Sequence, residues 1–140
     1  MIVRETLEQI STQAKAKAKP DPVKYGTLSQ ADYHRQGDVY FVCISADLEA
    51  VLKRSKKAVP MRQLAPGETQ GSRHIIREAD MSHLTFYTRT DATPLDGPII
   101  VAKKPFTVDH PEHGSVTLPP GAYGTHYQRQ YAEELRRVAD

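Results

Sequence analysis

Phe106-Thr107-Val108-Asp109-His110-Pro111-Glu112-His113-Gly114-Ser115-Val116-Thr117-Leu118 reads as two short β-strands joined by a turn. Apolar residues alternate with polar ones on both sides of Glu112-His113-Gly114, the period-two pattern of a half-buried hairpin. The turn displays His110 and His113 three residues apart, so both imidazoles can point toward one small volume. Imidazole is the commonest metal ligand and titrates near neutral pH, so such a volume suits a metal ion or an anion.

Working outward, the same strand-and-turn rhythm recurs. Candidate strands cover 73–77, 83–88, 98–102, 106–109, 115–118 and 123–131. They are separated by Ala65-Pro66-Gly67, Leu95-Asp96-Gly97 and Pro119-Pro120-Gly121. Asp38-Val39-Tyr40-Phe41-Val42-Cys43-Ile44 is β-branched and aromatic and follows a turn signal at Gly37, which predicts a central, buried strand. Short strands at this spacing predict a mainly-β domain, a single small barrel or sandwich, over 37–140.

Two helices are expected beside it. Ser45-Ala46-Asp47-Leu48-Glu49 offers a serine cap and early acidic residues, and Leu48, Val51 and Leu52 have helical spacing, so a short helix is predicted near 46–57. Its basic end, Lys53-Arg54-Ser55-Lys56-Lys57, would suit the negative end of the helix dipole. Val3, Leu7, Ile10 and Ala14 predict an N-terminal helix or arm over 1–19, stopped by Pro20-Asp21-Pro22, with a polar linker over 20–36. A terminal turn or two of helix is expected after Tyr131.

Composition narrows the class without naming a reaction. The chain has 140 residues, enough to bury one sizeable core. Its 19 basic and 17 acidic residues leave a net charge of +2, so any nucleic-acid binding must come from local clusters. Cys43 is the one cysteine and reads as a small buried hydrophobe in a reducing compartment. No stretch approaches the roughly 20 apolar residues of a membrane helix, and a soluble, cytoplasmic protein is the expectation.

Further chemistry-bearing residues lie outside the hairpin. If 73–77 is a strand, His74, Ile76 and Glu78 share one face while Arg73 and Arg77 share the other, where arginine can meet phosphate, carboxylate or solvent. In the last strand Tyr123, Thr125, Tyr127, Arg129 and Tyr131 share a face. Such a stripe packs as a half-buried sheet surface or serves as a stacking and phosphate-binding platform. The opposite face carries His126, Gln128 and Gln130. No nucleotide-binding or deaminase motif is present.

Two resemblances add to this reading. Gly67-Glu68-Thr69-Gln70-Gly71-Ser72-Arg73-His74 with Glu78, followed by Gly114 through Pro119-Pro120-Gly121 to His126, resembles the two-part signature of the cupin superfamily. That resemblance implies a β-barrel holding a divalent metal through His74, Glu78 and His126. Ser72 stands where the first cupin histidine is expected, and the second motif is one residue short. More of the chain is similar to a family of small uncharacterised bacterial and phage proteins, through Arg35-Gln36-Gly37-Asp38-Val39, the Gly67-Glu68 loop and His74, His110-Pro111-Glu112-His113, Leu118-Pro119-Pro120-Gly121-Ala122-Tyr123 and Gln128-Arg129-Gln130-Tyr131. That pattern usually carries His-x-His at 72–74, lacks a histidine at 126, and implies no activity.

Three functions stay open from the residues. The first is a binding protein whose pocket of histidine, arginine and tyrosine holds a divalent metal ion or an anionic ligand, in a phage-related or nucleoprotein assembly. Its metal set is His74, His110 and His113, and its ligand-binding residues are Arg73, Tyr123, Tyr127 and Arg129. The second is a metal-dependent cupin-like enzyme using His74, Glu78 and His126. The third is an interaction subunit that docks on protein or RNA through the N-terminal helix and the Lys53-Arg54-Ser55-Lys56-Lys57 run.

Overall fold

The computed structural model describes residues 20–67 and 69–128. The helices expected over 1–19 and after Tyr131 lie outside the described residues, as does Arg129.

Among the described residues ten strands make two sheets. In chain order they are β1 (Val23–Lys24), β2 (Tyr33–Gln36), β3 (Val39–Cys43), β4 (Ser55–Lys57), β5 (Ile75–Ile76), β6 (Leu84–Arg89), β7 (Asp96–Ala102), β8 (Phe106–Asp109), β9 (Val116–Leu118) and β10 (Gly121–Tyr127). One helix, α1 (Leu48–Leu52), follows a 3-10 turn at Ser45–Asp47. The larger sheet runs β2-β3-β10-β7-β6-β4 and the smaller β1-β9-β8-β5. They form a sandwich with no closed barrel.

The alternation of the sequence explains which sheet face turns inward. Val39, Phe41 and Cys43 from β3, Leu84 and Phe86 from β6, Ile100 and Ala102 from β7 and Tyr123 from β10 meet Ile76, Phe106, Val108, Val116 and Leu118 of the smaller sheet. Phe106 and Tyr123 contact edge-to-face across the gap with ring centroids 5.8 Å apart, a geometry worth about 1 kcal/mol beyond area burial. The run Ile99-Ile100-Val101 does not alternate, because β7 is covered on both sides. Ile99, with Val101 packed alongside, meets Ile44, Val51 and Ala122 beneath α1.

Register shifts once, between Gly124 and His126 against β7, and Pro98 sits in the irregular stretch. A central strand tolerates a proline at such a bulge, since the missing N–H leaves no ladder bond broken. Thr125 Oγ1 donates to the Pro98 carbonyl at 2.7 Å and holds the bulge together.

Four local expectations are corrected. The segment 20–36 is no plain linker, since β1 and β2 lie in it and pair with β9 and β3. The helix near 46–57 stops at Leu52, and Ser55, Lys56 and Lys57 pair with Arg89, Thr88 and Tyr87 as β4. Ser45 does not cap the helix; its Oγ instead accepts the Ala122 N–H at 3.0 Å. The strand at 73–77 shrinks to Ile75–Ile76, because a 3-10 turn begins at Glu78.

Candidate metal-binding corner

Gln36 ends β2 and Val39 begins β3, with the two residues paired across a two-residue turn. Gly37 in that turn has φ +60°, a conformation that glycine adopts without steric cost. An inward-facing Val39 requires that Gln36, its cross-strand partner, also point inward, and Gln36 is 2% exposed. A buried carboxamide must find partners. Its Nε2 donates to the Val108 carbonyl at 3.0 Å and the Gly114 carbonyl at 2.8 Å, so the side chain ties the edge of the larger sheet to the β8–β9 hairpin.

The amide orientation settles the neighbouring histidine. Since Gln36 Nε2 is the donor to two carbonyls, its Oε1 is an acceptor, and His74 Nδ1–H donates to it at 2.8 Å. Neutral imidazole carries one proton, so His74 Nε2 is a bare lone pair. His74 has no exposed surface, and this nitrogen is the buried side-chain polar atom without a hydrogen-bond partner among the described residues. Burial, and then the neighbouring His110 and His113 rings, push the His74 pKa down to about 3, against a small opposing effect of the Gly71 carbonyl. The ring is therefore neutral at neutral pH, and Nε2 faces its surroundings as an acceptor.

His110 follows β8 and is 1% exposed. Its Nδ1 accepts the backbone N–H groups of Glu112 at 3.0 Å and His113 at 3.1 Å, which assigns the proton to Nε2. Nε2–H then donates to the Gly71 carbonyl at 3.2 Å. Both nitrogens of His110 are thus engaged, and the ring folds the turn that presents its neighbours. Burial lowers its pKa, with the Gly71 carbonyl opposing.

The three rings form a row. Centroids of His74 and His110 are 4.4 Å apart, and those of His110 and His113 are 4.6 Å apart. His113 is exposed and packs over Gly37, where an added Cβ would come within 2.6 Å of its ring. His110, exposed Glu112 and His113 offer ligand atoms that lie within 4.8 Å of one another. The three histidines of the first expected set therefore stand side by side, while the ligand atoms that approach one another among the described residues are those of His110, Glu112 and His113.

The second set does not stand together. Glu78 turns out of the strand direction into the 3-10 turn, leaves its side chain 85% exposed and lies 3.8 Å from Arg62. His126 sits on the outer face of the larger sheet, where its Nδ1 meets Asp96 Oδ1 at 3.1 Å. Burial alone would raise the Asp96 carboxyl, but the N–H and hydroxyl of Thr93 and the His126 ring hold it below its usual range. With no closed barrel and the three residues dispersed, the cupin resemblance fails.

The expected arginine and tyrosine lining is also dispersed. Arg73 is exposed. Tyr123 belongs to the core at 1% exposure and donates to the Pro119 carbonyl at 2.6 Å. Tyr127 donates to the Leu64 carbonyl at 2.7 Å beside a shallow apolar groove formed with Met61, Pro66 and Pro98.

A family model for a domain of unknown function, DUF8820, matches residues 35–128. The chain belongs to that family. The match begins at Arg35 and so takes in both Gln36 and the histidine turn. No curated protein and no solved structure matches the chain. Among the described residues no helix is long and apolar enough to cross a membrane.

Gln36 is the residue that reading the sequence missed. Its signal was present, because a glutamine opposite Val39 in a tight hairpin must share the inward face. Glu112 was overlooked as well, hidden between the two histidines it accompanies.

Proposed function

We propose that this DUF8820 domain is a metal-binding module that takes one divalent transition-metal ion at the histidine corner. The observation that carries this reading is the bare, fully buried Nε2 of His74. Leaving such an acceptor unpaired costs about 1–3 kcal/mol, and coordination removes that cost. The Nδ1–H donated to Gln36 is the second hydrogen bond that metal-bound histidines ordinarily make, and it aims the lone pair of Nε2.

The same lone pair argues against an anion. A neutral acceptor repels phosphate or carboxylate, whereas it attracts a cation. Glu112 and His113 add a carboxylate and a second imidazole beside His110 at the same corner, donor types that hold zinc or iron with open positions. His110 supports the turn and is no ligand in this reading, since ligation through Nε2 would move its proton to Nδ1, against two backbone N–H groups.

Calorimetric titration of the metal-free protein with Zn2+ tests the reading. One ion per chain is expected, with binding lost in His74→Ala and Glu112→Ala/His113→Ala and kept in Glu78→Ala. Binding that survives His74→Ala, or no binding at all, overturns it.

A further inference from the structure

β4 (Ser55–Lys57) ends the larger sheet, with β6 on one side and no strand of the described residues on the other. Two flanking bonds fix the direction of its backbone groups. The Arg54 carbonyl accepts the Thr90 N–H at 2.8 Å, and the Ala58 N–H donates to the Phe86 carbonyl at 2.8 Å. Arg54, Lys56 and Ala58 therefore turn their backbone polar groups toward β6, while Ser55 and Lys57 turn theirs outward. The outward N–H and C=O groups recur every second residue, the spacing at which another strand pairs.

This open edge is basic. Lys53, Lys56 and Lys57 are exposed, and among the described residues none of them pairs with an acid. Pairing two such edges would set lysines near lysines, which argues against a second copy of the chain as the occupant. Just past the edge the surface turns apolar. Val59 is 81% exposed and Met61 38%, close together in one loop. Met61 walls the groove beside Tyr127, about 330 Å3 in volume, together with Leu64, Pro66, Pro98 and Thr88. Thr88 is the cross-strand partner of Lys56, and such partners share a face, so Lys56 stands on the groove side of the sheet. Asp96, the acidic residue of the groove, is already engaged by Thr93 and His126.

We infer that β4 receives an acidic, extended segment of a partner protein, which adds a strand to the sheet, sets carboxylates against Lys56 and Lys57 and seats one apolar side chain in the Met61 groove. Outward N–H and C=O groups in alternation match a peptide backbone, which gives affinity, while the side-chain pocket gives specificity. A nucleic-acid backbone matches less well, because its phosphates would be repelled by the outward carbonyls. The lysines select among proteins by charge. This inference is independent of the metal reading, since none of its residues belongs to the histidine corner.

Fluorescence anisotropy of the full chain tests it with a labelled heptapeptide in which glutamates flank a central leucine. A second heptapeptide, with lysines around the leucine, is the control. The acidic peptide should bind and the basic one should not. Lys56→Glu/Lys57→Glu should weaken the acidic peptide by about tenfold and admit the basic one. Met61→Asp should weaken the acidic peptide as well. Unchanged thermal midpoints and Zn2+ titrations certify that the variants are folded. Hydrogen exchange followed by NMR locates the contact, because the acidic peptide should slow the Ser55 and Lys57 amides and leave the Ala58 amide, already bonded to Phe86, as it was. No binding at millimolar peptide in low salt, equal binding of the basic peptide, or equal competition by an oligouridylate of the same charge would each overturn the inference. So would Ser55 and Lys57 amides that exchange slowly before any peptide is added, since the chain itself would then cover the edge.

Discussion

Replacing Gln36 by methionine keeps the length of the side chain and removes every hydrogen bond it makes. Two donated bonds, to Val108 and Gly114, and one accepted from His74 are lost in a site 2% exposed. Each such bond contributes about 1 kcal/mol net, and the abandoned carbonyls and His74 Nδ1–H cannot reach water, so the loss is about 3–5 kcal/mol. That is a large share of a total that runs to about 5–15 kcal/mol. The thermal midpoint should fall by roughly 10–15 °C for a domain of this size. Urea denaturation followed by circular dichroism measures it. A loss under about 1 kcal/mol would refute the claim that this carboxamide cross-links the two sheets. Zinc affinity should fall as well in whatever fraction stays folded, because the imidazole of His74 is then free to carry its proton on Nε2.

Other perturbations separate the core from the corner. Tyr123→Phe removes the bond to Pro119 and should cost about 1 kcal/mol in urea denaturation, with the zinc isotherm unchanged. Gly37→Ala forces a left-handed residue and a Cβ against His113. It should cost about 1–2 kcal/mol in the same assay and weaken zinc binding by displacing that ring. In chelator-treated protein, stability should depend on pH through His74. Its folded pKa lies near 3, below the unfolded 6.5, so between those values the unfolded chain holds one proton more. Stability is therefore full above pH 6.5 and falls by about 1.4 kcal/mol per pH unit below it, His110 acting in the same direction. His74→Phe should flatten that dependence in urea titrations at several pH values, and an unaltered slope would contradict a neutral buried ring.

Much of the sandwich was legible because its strands alternate. The segments 106–109 and Val39 through Cys43 declared themselves by a face that had to be dry, and 98–102 by its continuous apolar run. What failed depended on contacts outside the local sequence. Ser55-Lys56-Lys57 has no strand signature and becomes β4 only because β6 offers it an edge. Ser45 had the composition of a cap, but the Ala122 N–H of β10 claims its hydroxyl. At the corner the histidine spacing was visible, whereas the division of labour was not. Which imidazole keeps a free lone pair depends on the Gln36 amide, the Gly71 carbonyl and two turn N–H groups. The tyrosine stripe misled because periodicity tells which residues share a face and leaves open which face is covered.

The proposed metal site turns on one nitrogen, His74 Nε2. Long-range proton–nitrogen correlation of 15N-histidine protein resolves the protonation of each imidazole nitrogen. For His74 it should show the proton on Nδ1 and a bare Nε2 at neutral pH, with the Nε2 resonance moving on addition of one equivalent of Zn2+. A proton found on Nε2, or a His74 spectrum indifferent to zinc, would contradict the proposed metal site.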